Sequence, residues 1–478
     1  MRKSPFLLLS FTVTVFFSQK SYSQDTTAQT YTLQQCIDMA IKNNPDVKQA
    51  DFNLESAKVN RTQARASLLP GISANAGRSI YNGKSINPYT NSYVNQQYTA
   101  DNYGLNASIV LWHGSSILNF IKENNLAYEA GKMDLQNAKD QLTINVILDY
   151  LAVLNDEEQL KVAKQAVGVT QQQVDRLTIL NDKGDTAPSE LYNTRGQLGT
   201  NEMTVLSTQN ALVTAKLNLA QLMNIPYTAT MELAPVETSI LAPYNGTIDD
   251  IYQYALAHLA VVKSAELHDE SAKRAVKVAR GQLFPTLSLS GGLFTNYSSA
   301  ATTSDIISTS DQQTDSYVML NNSKVPVYAP QSDYNSVKVP YGTQWKNNFN
   351  SGIGLNLNIP VLNGLQVRSR VQQAKISEQE TAFQKKTVKI QLRQAIERDY
   401  VSMATAYETY KKLVQQVNDY SESFREAKIK FEAGAINSVD FVIAENNMNQ
   451  AKLNLVAAKY NYIVQTKILD YYQGKLVW

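Results

Sequence analysis

The chain has one cysteine, Cys36, three histidines and 18% charged residues, where about 25% is usual for soluble domains. One cysteine closes no internal disulfide, so the fold must be held by packing. It sits in "LQQC", far beyond the N-terminal apolar run and behind two glutamines where a lipoprotein signal needs small residues, and it reads as a packed helix cysteine. Charge of either sign is scarce and balanced, with 44 Lys+Arg against 42 Asp+Glu and no basic stripe, which excludes nucleic acid as the expected partner. His113, His258 and His268 are scattered without a ligand spacing, so no metal and no cofactor are expected. There is no P-loop, no G-x-S-x-G and no nucleophile–base arrangement, so no catalytic residue is nominated and an enzyme is not expected.

Long apolar runs are also absent after the N-terminus. At the start, Arg2 and Lys3 precede "FLLLSFTVTVFF" (6–17), and "SYS" before Gln24 offers small cleavage residues. Residues 1–23 therefore read as a signal peptide, too short for a comfortable membrane span. No later segment approaches 18 apolar residues, so no transmembrane helix is expected in the mature chain. Polarity comes from Asn, Gln, Ser and Thr, and Tyr is plentiful at 27. A tyrosine-rich, charge-poor surface suits a membrane interface.

The chain repeats itself. "ESAKVNRTQARASLLP" (55–70) returns as "ESAKRAVKVARGQLFP" (270–285), an offset of 215 that also pairs Ala40 with Ala255 and Arg65 with Arg280. Further on the offset is 250: Gly104 with Gly354, Gly114 with Gly364, Tyr150 with Tyr400 and Gly184 with Gly434. The two copies thus differ by an insertion of 250 − 215 = 35 residues, falling between Pro285 and Gly354. Pro70 and Pro285 mark a switch from helix to strand, because proline cannot continue the helical hydrogen-bond ladder and pushes its predecessor out of the α region.

After each proline the period changes to two. Leu287, Leu289 and Leu293 alternate with Ser and Gly; Phe349, Ile353, Leu355, Leu357 and Ile359 alternate with Asn and Gly; Tyr103, Leu105, Ala107, Ile109 and Leu111 form one face of a third strand. "GISANAGRSI" is a weaker fourth. Such strands of roughly ten residues span a tilted bilayer crossing, apolar to lipid and polar to a lumen. A soluble sandwich would alternate in the same way. The polar stretch 297–348 reads as a long structureless loop, ordinary only on the outer face of a barrel.

The rest is helical. Tyr410, Leu413, Val417, Tyr420, Phe424, Ala427 and Phe431 step 3-4-3-4, as do Leu160, Ala163, Val167, Thr170, Val174 and Leu177 in the first copy. Helices of about 115–181 and 367–431 would each reach roughly 100 Å. "NDKGDTAPSE" and "FEAGAINSVD" close the hairpins, with Gly184 and Gly434 as helix ends. Four strands cannot close a barrel and open edges are not tolerated in lipid, so several chains must share one, two or three by geometry alone.

The order signal peptide, helix, proline, strand, loop, strand, "NIPVLNGLQVRSRVQQA", long helix, "AGAINSVD", helix, stated twice, resembles the TolC family of outer-membrane efflux proteins over essentially the whole mature chain. The resemblance rests on the strand-to-helix junction from Pro360 to Gly364, on Pro70 and Pro285, and on the glycine turns. It implies a mainly α fold with a β-barrel part: two tandem helix–strand–strand–helix repeats (24–222 and 248–473) in a homotrimer, with a twelve-stranded outer-membrane barrel continued by a long periplasmic α-helical barrel. The linker 223–247 and the tail 474–478 would join an equatorial belt.

The implied function is an exit duct of a tripartite efflux or type I secretion system, partnered by a periplasmic adaptor (membrane fusion protein), an inner-membrane pump or exporter, and outer-membrane lipid. The rival is a periplasmic coiled-coil adaptor or non-channel envelope protein. Asp440, on a family position, and its repeat mate Glu190 would ring the pore and select cations. Alternatively both are good first-turn residues, with Ser189 and Ser438 as caps. Gly184, Gly434, Phe431 and Ile436 would form the periplasmic tip that gates and meets the adaptor. Phe431 stands where the family's best-known pattern has Tyr, and Ile436 where it has Arg.

Overall fold

The structure, a computed structural model, describes residues 30–87, 91–95, 97–236 and 242–475. The expected leader (1–23), part of the linker (237–241) and the last three residues of the tail (476–478) lie outside the described residues. The element order is β1 (Thr30–Tyr31), α1 (Leu33–Asn43), α2 (Pro45–Ala66), β2 (Gly71–Tyr81), β3 (Lys84–Asn87), β4 (Ser92–Asn95), β5 (Tyr98–His113), α3 (Ser116–Asp182), α4 (Pro188–Leu222) and β6 (Glu232–Leu233). There follow α5 (Ile248–His258), α6 (Ala260–Gly281), β7 (Thr286–Ser298), β8 (Thr302–Leu320), β9 (Ser323–Lys338), α7 (Tyr341–Asn347), β10 (Asn350–Asn358), α8 (Gln366–Glu432) and α9 (Ser438–Tyr472). Both bounds of α1 and α2 recur in α5 and α6 at an offset of 215, and both bounds of α3 and α4 recur in α8 and α9 at 250.

Four strands form one antiparallel sheet in the order β10-β7-β5-β2. Gly71 lies opposite Ser108 in one hairpin and Thr286 opposite Asn358 in the other, so both hairpins share one register. One face carries Ile72, Leu105, Leu289, Leu293, Leu355 and Leu357, on cross-strand partners that alternate with polar positions. The other is wired by amides: Asn106 Nδ2 donates to Asn75 Oδ1 at 3.0 Å and Asn356 Nδ2 to Ser290 Oγ at 3.1 Å. A register shift between Val110 and Trp112 leaves Leu111 without a ladder partner and brings Trp112 opposite Leu287, on the Tyr103–Ile109 face.

Helices α2 and α6 end at Ala66 and Gly281, and each proline stands after a short turn, directly before its strand. Strand returns to helix through two consecutive left-handed residues, Gly114 and Ser115 (φ 52° and 62°) and Gly364 and Leu365 (φ 59° and 64°). The 67-residue α3 and α8 span about 100 Å at 1.5 Å per residue. Among the described residues no helix is long and apolar enough to cross a membrane.

Two cores sit part-way along the long helices. In the first, Leu33, Cys36 and Ala40 of α1 pack on Val146, Tyr150 and Val153 of α3, with Leu219, Met231 and Leu233. The second is its repeat mate: Ile251, Ala255 and Val262 on Ile396 and Met403 of α8, closed by Tyr462 and Leu469. The Tyr150 hydroxyl donates to Ala234 O at 2.7 Å and Tyr462 to Ala242 O at 2.6 Å, so both described parts of the linker are tied to these two cores. Cys36 is fully buried, and burial pushes its thiol up to about 12, which keeps it unreactive.

The segment 297–348, expected to be structureless, is not. It holds the ribbon β8–β9 and the short helix α7. The Ser/Thr/Asp-rich composition masked a strand pattern, and Asn321 and Asn322, at φ 48° and 69°, supply the two left-handed residues of a tight hairpin turn.

Candidate functional site

Both helical hairpins turn at the same end of the molecule, opposite the sheet. Gly184 and Gly434 (φ 81° and 73°) end α3 and α8 in the same way. Asp185 N donates to Leu180 O at 2.9 Å and Ala435 N to Lys430 O at 2.8 Å, the wide bond of a Schellman end. A side chain at either glycine would meet nothing within 4 Å, so the left-handed backbone, not crowding, requires glycine there.

The expected caps are not the caps. Helix α4 begins after Ala187, which makes no side-chain cap, and α9 begins after Asn437, whose Oδ1 accepts from Asp440 N at 2.9 Å. Ser189 and Ser438 are inside their helices, and Ser438 is buried. Asp440 and Glu190 occupy the first turns of α9 and α4, where carboxylates suit the helix dipole. Asp440 is exposed, and Glu190 Oε2 accepts from Thr186 Oγ1 at 3.1 Å.

Phe431 and Ile436 lie at this same end, packed inward. Phe431 is buried in a cluster with Val174, Leu177, Leu191 and Phe441, against which Ile436 also packs. The Phe431 and Phe441 rings stack at 4.8 Å between centroids. Sequence reading missed Arg176: its guanidinium lies 5.7 Å from the Phe431 ring centroid and Nη2 donates to Glu432 O at 2.9 Å, fastening the end of α8 to α3. Thus Gly184, Gly434, Glu190, Asp440, Phe431 and Ile436 share one end, while Pro70, Pro285, Pro360 and Gly364 stand at the junctions of the other.

A buried polar layer lies just behind this apolar tip, also unforeseen. The Thr170 hydroxyl donates to Glu445 Oε1 at 2.7 Å and accepts from Asn201 Nδ2 at 2.7 Å, joining α3, α9 and α4. Gln197 and Asn446 exchange two amide hydrogen bonds of 2.7 and 3.0 Å beside it. The only hint in the sequence was Thr170 among otherwise apolar seam positions. Glu445 is fully buried and its Oε2 has no partner. Burial raises its carboxyl above the usual range, opposed by the Thr170 hydrogen bond.

A raised folded-state value means the stabilisation is complete below the unfolded value, near 4.5, and is lost as pH rises through the folded one. Glu445→Gln should therefore raise the thermal midpoint at pH 8 and leave it nearly unchanged at pH 4. Equal effects at both pH values would contradict a raised Glu445 carboxyl. Elsewhere His268 Nε2 lies 3.0 Å from Asp134 Oδ2, which pushes the imidazole up; among the described residues no cluster suited to a metal ion is present.

The family model for outer membrane efflux proteins matches residues 36–224 and 251–471. The chain belongs to the outer membrane efflux protein family. Outer membrane protein TolC of Escherichia coli K12 is 22% identical over 452 residues, covering 91% of this chain and 81% of TolC. TolC of Salmonella enteritidis is 23% identical over 465 residues, covering 94% and 83%. Two solved structures share the fold at a TM-score of 0.73: the outer membrane protein VceC of Vibrio cholerae (15% identity, 92% of this chain and 96% of VceC) and the CmeC outer membrane channel of Campylobacter jejuni (18%, 99% and 94%). The fold is that of the trimeric outer-membrane efflux channels, with a helical-barrel part and a β-barrel part. The protein is an outer-membrane efflux channel of the kind that serves tripartite systems, a passive duct and not an enzyme. It is not an adaptor. The helical part belongs to the periplasm.

Proposed function

We propose that three copies of this chain close one barrel and one helical tunnel through a seam that repeats contacts already present inside each chain. The carrying observation is what a single chain leaves open. Within the chain, β5 of the first repeat pairs with β7 of the second, and α3 packs on α6. The mates of these pairs, β10 with β2 and α8 with α2, are unpaired edges and exposed helix faces carrying Ile353, Phe383, Phe52 and Val59.

The strand–helix corner tells the same story. A Cβ at Gly114 would fall 2.5 Å from Gly281 O and 2.7 Å from Phe284 Cβ. The offsets 250 and 215 turn that contact into Gly364 against Ala66 and Leu69 of the partner subunit. In one chain nothing lies within 4 Å of a Cβ at Gly364, and Leu69 is exposed. The same offsets turn the Ala107–Gly291 pair into Leu357 opposite Ala76 of the partner subunit. A double variant Ala76→Cys/Leu357→Cys, oxidised in cells, should give a crosslinked ladder that stops at three chains. A ladder that continues beyond three, or no crosslink in folded protein, would overturn the seam.

In such a trimer the repeats 24–222 and 248–473 alternate around the axis, the linker 223–247 and tail 474–478 complete the belt, and the turns at Gly184 and Gly434 form the periplasmic mouth. There a periplasmic adaptor, itself bound to an inner-membrane pump or exporter, would meet the channel. Three Asp440 carboxylates near a narrow axis attract cations, with Glu190 adding a second ring. Asp440→Asn should shift the reversal potential under a salt gradient towards zero. An unchanged potential in an otherwise normal channel would leave Asp440 only its helix-start role.

A further inference from the structure

We propose that the ribbons β8–β9 of three protomers meet at their tips outside the cell, forming a tripod over the barrel mouth with open, polar sides; this rests on the trimer proposed above. The ribbon forms a two-stranded sheet of its own, its strands of 19 and 16 residues reaching some 50–60 Å at about 3.3 Å per residue. A two-stranded hairpin standing alone in water is marginally stable, and both its edges are open to pairing. Its root is nevertheless held firmly. Buried Gln344 of α7 accepts from Ser298 N at 2.8 Å and donates to Ser298 O and Val339 O, each at 2.9 Å. The ribbon leaves the sheet between β7 and β10, and β10 is the seam strand. Three ribbons therefore stand around one axis, each beside the seam with its neighbour, at a high effective concentration.

The side chains say which part of the ribbon meets a neighbour. At the tip Val318 pairs with Val325 on one face, and Tyr317 with Pro326 and Met319 with Lys324 on the other. Val318, Met319 and Tyr317 are each more than half exposed. An apolar surface on both faces fits a three-fold contact, in which each tip turns one face to one neighbour and its opposite face to the other. Below the tip the ribbon is mostly Ser, Thr, Gln and Asp, broken by the exposed Ile306, Ile307, Tyr328 and Tyr334, with Asp305, Asp311, Asp315 and Asp333 on the legs and its two lysines confined to tip and root. Like-charged legs stay apart while apolar tips associate. Cargo would then leave between the legs.

The test places cysteines on opposite faces of the tip, Met319→Cys/Val325→Cys, in the full-length protein oxidised on intact cells; native Cys36 is buried and stays out of the reaction. The expected result is a shift of the band to three chains, with each single variant reaching at most two. A leg pair on opposite faces, Ser310→Cys/Ser332→Cys, should remain at one chain. If the Ala76→Cys/Leu357→Cys seam links three chains while the tip variant stays at one, the tripod is wrong and the trimer stands. Tip cysteines crosslinked instead to a different protein, or shielded only when lipid vesicles are added, would also overturn it. If the seam itself fails to link, the trimer and the tripod fall together.

Discussion

Gly281→Val abolishes most of the assembled channel: that is the expected outcome at the corner where α6 ends under the start of α3. A Cβ at Gly281 would lie 2.8 Å from Ser116 Cβ, 2.9 Å from Ser116 Cα and 3.0 Å from Ser116 N. Two of these atoms are backbone, so no rotamer relieves the contact, and valine adds two methyl groups. The junction has little room to give. Ser116 Oγ donates to Val278 O at 3.1 Å, and a Cβ at Gly114 would in turn meet Gly281 O and Phe284. Overpacking of this kind costs about 1–3 kcal/mol and more where backbone must move. In an assembly of three chains the cost is met three times. The measurement is the fraction of protein that survives as a heat-resistant oligomer in unheated gels. Gly168→Ala is the control: nothing lies within 4 Å of its added Cβ, and alanine is the better helix former by up to about 1 kcal/mol. Equal oligomer yields for the two variants would show that the corner is not close-packed.

The second large effect is expected from Phe441→Ala at the opposite end. Phe441 is 1% exposed and stacks on Phe431 at 4.8 Å and against Phe424 at 5.6 Å. Truncating such a ring costs about 3–5 kcal/mol, in transfer free energy and the cavity left behind. The cluster is isolated, because the polar layer of Thr170, Glu445 and Asn201 separates it from the rest of the seam. The loss therefore falls on the hairpin tips, not on the two larger cores or the sheet. Limited proteolysis should cut near Gly184 and Gly434 many times faster than in the wild type, and resting conductance should rise, while the heat-resistant oligomer persists. Unchanged protease resistance would mean that the Arg176 contacts to Phe431 and Glu432 hold the tip without Phe441.

How much of this was legible beforehand follows from which interactions are local. Pro70, Pro285, Gly114, Gly364, Gly184 and Gly434 act on the backbone of their own neighbourhood, so the repeat and the helix ends could be read from them. The long helices begin and end within one residue of the expected bounds, because their termini are set by left-handed glycines and prolines that no distant contact overrides. The ribbon was misread for the converse reason. Polar Ser, Thr and Asp residues have no inside and outside to alternate between when both faces are wet, so period-two patterning vanishes while strand pairing remains.

From the order of residues alone came the duplication, the strand–helix order, the membership of the outer-membrane channel class and the need for more than one chain to close a barrel. Packing in three dimensions determined what sits against what. It packed Phe431 into a buried cluster with Ile436 against it, and brought Thr170, Asn201 and Glu445 together from three helices. It also left β2 and β10 as the open edges of the sheet. Backbone preferences, capping and periodicity are properties of neighbouring residues, whereas burial and buried polar networks depend on helices far apart in sequence packing along the same 100 Å (about 1.5 Å for each of 67 residues).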